Sequence, residues 1–314
     1  MSISVLLQQM GVISILVAIG ILIYKRGVVD KTTSGKLSAI VVDVCNPALI
    51  MASILSGKMT AGHRELLIAI GLGAGFYVFL VLLGFILPYI LRSEPDKRRF
   101  YNLMTVYTNT GFLGIPLARA ILPPDAILYV IVINVFYSLF FYTHGLTILG
   151  RGKEQKKRKN PLLSILNPGT IMAVLSLVVF WFNVTLPPIL ANTIEYVGNA
   201  TVFLSMALLG VSIARSDLLR SLKDARIWGY ILLRMILVPI GIVFVLHSLN
   251  FDPTATMAIG LMASVPIGNL PMIQAEKIGE DTKLLSSAIA VSTAFSVISI
   301  TLLMSLFSFW IGPV

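Results

Sequence analysis

Ten continuous apolar runs, each near the length of helix that a bilayer demands, occupy almost the whole chain. They are Ile3–Tyr24, Leu37–Ser56, Leu66–Leu91, Phe100–Leu122, Ala126–Leu149, Leu162–Asn183, Ile189–Ala214, Ile227–Leu249, Thr254–Ala275 and Leu284–Trp310. A hydrocarbon core of roughly 30 Å takes about 20 residues of helix to cross. Lipid offers no partner for backbone N–H and C=O groups, so only helices or a closed barrel survive there. A barrel needs alternating strands of about ten residues, and these unbroken Leu, Ile and Val runs do not alternate. The sequence therefore reads as an all-α polytopic membrane protein with ten transmembrane helices. Composition agrees, with 57% hydrophobic and 12% charged residues among 314, against roughly 25% charged in soluble domains. No length remains for an independent soluble domain.

The net charge of +10 is explained by where the cations fall. Of 24 Lys and Arg, 20 lie in alternate loops, including the dense run Arg151–Lys159. The opposite loops hold only Lys58 and Arg64, while Arg119 and Arg234 lie inside apolar runs. The positive-inside rule places the basic loops in the cytoplasm and both termini outside it, as expected of a multi-pass protein of the plasma (inner) membrane. The basic run reads as a topology determinant touching anionic lipid, not as a nucleic-acid site. Trp181, Trp228 and Trp310 stand at run ends, as an interfacial belt requires.

The starts of runs one to five precede those of runs six to ten by 152 to 161 residues, a nearly constant offset. Five is odd, so the second half enters the membrane from the other side, as in transporters built from inverted repeats. Residues 1–149 form the first repeat, 150–161 the cytoplasmic loop and 162–314 the second repeat. Local detail repeats too: Asn46 precedes Gly57, and Asn199 precedes Gly210, by 11 residues each.

Segments 4 and 9 carry matched interruptions, Asn109-Thr110-Gly111-Phe112-Leu113-Gly114-Ile115-Pro116 and Ser264-Val265-Pro266-Ile267-Gly268-Asn269-Leu270-Pro271. Proline removes a backbone donor and crowds the preceding turn, and glycine tolerates the unwound backbone that results. Both segments are expected to break, with Pro116 and Pro271 each first in a new half-helix. A half-helix N-terminus presents unpaired N–H groups and partial positive charge, so two of them facing one cavity attract an anion. Asn109, Thr110, Ser264 and Asn269 can add neutral hydrogen bonds there. Ordinary proline kinks serving only packing are the alternative.

NTGFLGIPLARAIL (Asn109–Leu122), VPIGNLPMIQAEKIGED (Val265–Asp281) and CNPALI (Cys45–Ile50) resemble the auxin efflux carrier family, which includes plant PIN carriers and bacterial carriers assigned to malonate or malate. The resemblance covers essentially the whole chain. It implies secondary active transport of a small organic anion, a mono- or dicarboxylate, by an elevator mechanism. Residues 1–56 and 162–214 would form a scaffold, homodimeric through its helices, and residues 66–149 and 227–310 a moving transport domain. The carboxylate would sit where broken helices 4 and 9 cross. Asn109 falls on the family's binding asparagine, and Pro116 and Pro271 on its crossing prolines. Asn134 lies near another polar family position. Asn46, Gly111, Gly114, Pro266 and Gly268 complete the expected lining. The sodium-coupled bile-acid carriers share this architecture, so a sodium symporter is the alternative.

Charges at membrane depth are functional by default. Arg119 lies about one turn past Pro116, where it either balances a second carboxylate or snorkels outward. Asp43, three residues before Asn46, either carries a proton or pairs with a nearby cation. Arg234 and Glu195 read as ion-pair members, and His144 as interfacial packing.

The remaining classes fit less well. No phosphate-cradling Gly-rich loop ending in Lys-Ser/Thr occurs, so the chain brings no ATPase. Cys45 is the single cysteine, and His63, His144 and His247 share no ligand spacing. No metal site, cofactor or enzymatic constellation is expected. A channel is a lesser alternative, and a membrane receptor the next.

Overall fold

The computed structural model describes residues 3–55, 60–150, 166–215 and 222–312. Twelve helices run through the described residues. The first six are α1 (Ile3–Lys25), α2 (Lys31–Leu55), α3 (His63–Ile90), α4 (Arg98–Val106), α5 (Thr110–Ile121) and α6 (Ala126–Leu149). The second six are α7 (Pro168–Trp181), α8 (Pro188–Arg215), α9 (Ala225–Ser248), α10 (Pro253–Ser264), α11 (Leu270–Lys277) and α12 (Lys283–Ile311). Their starts follow ordinary capping chemistry. Asp30 accepts from Thr33 N at 2.6 Å, Asn167 from Thr170 N at 3.0 Å and Asp252 from Ala255 N at 2.9 Å. Each occupies one amide that the first turn leaves unpaired.

Seven of the described helices are long and apolar enough to cross a membrane: α1, α2, α3, α6, α8, α9 and α12. The sequence expects ten. Two of the three missing ones are segments 4 and 9, each of which is two shorter helices, α4 with α5 and α10 with α11. The third is α7, the described helix of the expected run Leu162–Asn183, whose 14 residues fall short of a full crossing while residues 162–165 lie outside the described residues. The basic run Arg151–Lys159 and Gly57 lie outside the described residues. Four helices contain a widened π turn, at Val41–Cys45, Thr110–Gly114, Phe141–Gly145 and Leu232–Leu237. Such turns cluster at functional sites.

The helices pack in two sets of neighbours, which also touch each other where α1 meets α12 and α7 meets α6. In the first, α8 lies against α1 and α2, and α2 against α7. Gly20 and Gly210 set the α1–α8 approach. A Cβ on Gly20 would lie 2.0 Å from Ala207 O, and one on Gly210 2.0 Å from Val17 O. Backbones this close exclude every side chain, which is how small residues join helices in lipid. In the second set, α3 packs on α4 and α6, while α10 packs on α9, α12 and α6. Ion pairs tie the ends of this set together. Glu94 before α4 meets Arg226 of α9 at 3.0 Å, and Arg99 of α4 meets Glu280 before α12 at 2.6 Å. Hydrogen bonds from Lys97 and Arg226 hold the Glu94 carboxyl below the usual carboxylate range.

Candidate functional site

The two breaks meet. α4 stops at Val106 and α10 at Ser264, and the extended residues beyond them pair as a single antiparallel bridge between Thr108 and Ile267. Asn109 N donates to Pro266 O at 2.7 Å, and Gly268 N donates to Tyr107 O at 3.0 Å. Each interrupted backbone thus satisfies the other at depth, where neither water nor an intact helix would. Gly268 permits it, because a Cβ there would lie 2.9 Å from Thr108 O and 3.0 Å from Tyr107 O.

Beyond the bridge the chain rewinds. α5 starts at Thr110 with the widened turn, in which Asn109 O accepts from Leu113 N at 3.3 Å and Gly114 N at 3.1 Å. Pro116 is therefore not the first residue of its half-helix, as the sequence suggests. It follows a π turn whose extra residue makes room for the proline ring, while Asn109 holds the cap position. Pro271 is buried and second in α11. The N–H groups of Gly111 and Phe112 head α5, and those of Leu270 and Met272 head α11, with no acceptor among the described residues.

Polar side chains collect on the α5 side. Thr110 Oγ1 donates to Asn134 Oδ1 of α6 at 3.3 Å. Gly111 opens onto Asn46 of α2 and Asn134, whose Nδ2 and Oδ1 lie 3.3 Å and 3.9 Å from the place a Cβ would take. Asn46 Oδ1, Thr108 Oγ1 and Asn109 Nδ2 are buried without a hydrogen-bond partner among the described residues. Asn109 is 5% exposed and Thr110 1%. Buried polar groups are nearly always paired, so these three atoms leave hydrogen-bonding capacity at the crossing for a guest or for water. Gly114 packs on Met262 of α10, whose Sδ would lie 2.9 Å from an added Cβ.

The ninth segment contributes differently. Ser264 Oγ donates back to Gly260 O at 2.6 Å and is committed to its own helix. Pro266 supplies its carbonyl to the bridge, and Asn269 is half-buried at the head of α11. Ser292 of α12 accepts from Ile267 N at 3.4 Å.

Of the ionisable residues, Asp43 sits in the widened turn of α2 with an exposed side chain, and no ion pair among the described residues includes it. Arg119 reaches Glu195 of α8 at 3.7 Å. Arg234 corrects the sequence reading, which makes it an ion-pair member. It is 0% exposed, and among the described residues no carboxylate meets it. Instead Nε donates to Thr105 O at 2.7 Å and Nη1 to Ala263 O at 2.8 Å. His144 also departs from simple packing, since its Nδ1 lies 2.8 Å from the hydroxyl of Tyr107 in the break. That hydroxyl donates to Phe140 O at 2.8 Å. Sequence reasoning misses Tyr107 and Ser292, which carry no signal of their own. The mid-run position of Arg234 was a signal without an address.

A groove of about 560 Å³ beside the start of α4 has Asp96, Arg98, Arg99, Asn102 and Glu280 in its lining. Another of about 720 Å³ between α3 and α9 is lined by Gly71, Phe76, Leu233, Val245 and similar apolar residues, with nothing to hold a charge.

A family model described as "Membrane transport protein" matches residues 5–304. The chain is 24% identical over 303 residues to an uncharacterized transporter of Methanocaldococcus jannaschii, covering 93% of this chain and 95% of that one. It is 28% identical over 304 residues to an uncharacterized transporter of Methanothermobacter thermautotrophicus, covering 92% and 94%.

Proposed function

The chain belongs to the membrane transport protein family, that of the auxin efflux carriers, and from that premise we propose that it is a secondary active carrier of a small organic carboxylate. This is a multi-pass helical membrane protein and a transporter. The substrate reading rests on one observation. At the crossing, the unpaired amide of Asn109 lies in buried surroundings beside half-helix N-termini whose N–H groups lack acceptors. Such a place favours an anion with hydrogen-bond acceptors on a planar group. The substrate oxygens would take the Asn109 amide and the amides of α5, with Asn46, Thr110, Gly111 and Asn134 shaping the pocket. From the other repeat, Pro266, Gly268, Asn269 and Pro271 would shape it, with Ser264 and Gly114 acting through packing.

In this reading the twelve helices make ten membrane segments in two inverted repeats, with α4–α5 and α10–α11 each counting as one. The matched roles of Asn134 on α6 and Ser292 on α12, each supporting its own repeat's break, favour it. α1, α2, α7 and α8 would be the scaffold, dimeric through those helices, and the remaining helices the transport body that moves against it. The two packing sets and the ion pairs Glu94–Arg226 and Arg99–Glu280 support that division. The protein would sit in the inner membrane with both termini outside and the central basic loop in the cytoplasm. Asp43, which no ion pair among the described residues includes, would be the candidate for charge or proton coupling.

The test is a binding screen of mono- and dicarboxylates on purified protein, with pH and sodium varied independently. Saturable binding of one carboxylate, lost in Asn109→Ala protein that still elutes as a single species, is expected. No binding across the panel would overturn the reading. Sodium-dependent binding without pH dependence would transfer it to the bile-acid-like symporters.

A further inference from the structure

Four half-helix ends converge on the crossing, and their dipoles oppose one another. The N-terminal ends of α5 and α11 each carry roughly half a positive elementary charge, and the C-terminal ends of α4 and α10 roughly half a negative one. Left alone, the two pairs largely cancel for any ligand held between them. Arg234 breaks the balance. Its guanidinium donates to Thr105 O in the last turn of α4 and to Ala263 O in the last turn of α10, spanning both negative ends at once. It reaches them from the π turn Leu232–Leu237 of α9, fully buried. Among the described residues, no acidic group pairs with it. The titratable groups facing it are the phenols of Tyr77 on α3 and Tyr230 on α9. An unpaired guanidinium at this depth is expensive to keep, and packing alone would be served by an apolar side chain.

We infer that Arg234 sets the sign of charge the crossing accepts: it neutralises the C-terminal ends of α4 and α10 and leaves the N-terminal ends of α5 and α11 to act on an anion. Arg234 is a positioning residue, not a ligand. It acts through the field and through the clamp it places on both breaks. The inference rests on the proposed carrier reading of the crossing, but its test needs no substrate.

A reporter thiol reads the field directly. Asn109→Cys is introduced in a Cys45→Ser background, and the rate of thiol alkylation is followed against pH. Burial raises a thiol pKa and nearby positive charge lowers it. With Arg234 present, the reporter is expected to titrate at or below the ordinary value of about 8.5. Replacing Arg234 with Gln, which keeps a donor for the carbonyls, or with Met should raise that pKa by at least one unit. At fixed pH this is about a tenfold loss of thiolate, and Arg234→Lys should restore most of it. A reporter pKa well above 8.5 with Arg234 in place overturns the inference, so the test does not depend on the neutral variants folding. A change of only a few tenths of a unit in a folded Gln variant overturns it as well. Failure of every carboxylate to bind, with the thiol shift present, would sink the carrier reading alone.

Discussion

At Asn109 the backbone is committed to the crossing while the side chain is not. Its N–H donates to Pro266 O, its carbonyl starts α5, and its amide nitrogen is buried without a partner among the described residues. Asn109→Ala should therefore leave the fold intact and weaken carboxylate binding. A hydrogen bond to a charged group contributes about 1.5–3 kcal/mol, so the dissociation constant should rise roughly ten- to hundredfold, read by titration calorimetry. Gly268 fails in the opposite way. A Cβ there meets the carbonyls of Thr108 and Tyr107 at 2.9 and 3.0 Å, both backbone atoms that cannot swing aside. Gly268→Ala should destabilise the protein by about 1–3 kcal/mol and lower its melting temperature in detergent. Asp43→Asn should flatten the pH dependence of uptake in liposomes. An unchanged profile would remove Asp43 as the proton carrier.

Among elements, the contact of α1 with α8 depends on two glycines, Gly20 and Gly210, that let the backbones touch. Gly20→Val should part these helices and cut the yield of folded protein. Gly71→Ala on α3, where nothing lies within 4 Å, should be neutral or slightly stabilising. The comparison separates close approach from the general effect of losing a glycine in a membrane helix. At the α4 end, the carboxyl of Glu94 is held below its usual range, first by Lys97 and then by Arg226. That link is present above the ordinary carboxylate pKa and is lost as pH falls through the lowered value.

For the whole molecule, the carrier reading requires the α3–α6 and α9–α12 body to move against α1, α2, α7 and α8. Arg119 on α5 and Glu195 on α8 face each other across that boundary at 3.7 Å. Cysteines at both positions in a Cys45→Ser background, joined by a bifunctional thiol reagent of matching length, should arrest uptake reversibly. The unjoined double variant should transport. Continued uptake after joining would show that α5 and α8 do not slide. A channel would instead conduct far above carrier rates in planar bilayers. The burial of Thr108, Asn109 and Thr110 gives a closed crossing and favours the carrier.

Hydropathy and charge placement by themselves determined a helical membrane protein, because lipid leaves the backbone one local solution and the ten runs display it directly. The interruptions also announced that segments 4 and 9 break, and Pro266 marks the end of α10 directly, since proline acts on its own turn of chain. Contacts between distant residues were decided only in three dimensions. That Thr108 bridges Ile267, that Asn46 reaches Gly111, and that α5 rewinds at Thr110 before Pro116 are outcomes of packing between segments far apart in the chain. Arg234 shows the limit most clearly. Its charge within an apolar run was plain in the sequence, but its partners are backbone carbonyls, which every residue possesses and no sequence pattern marks.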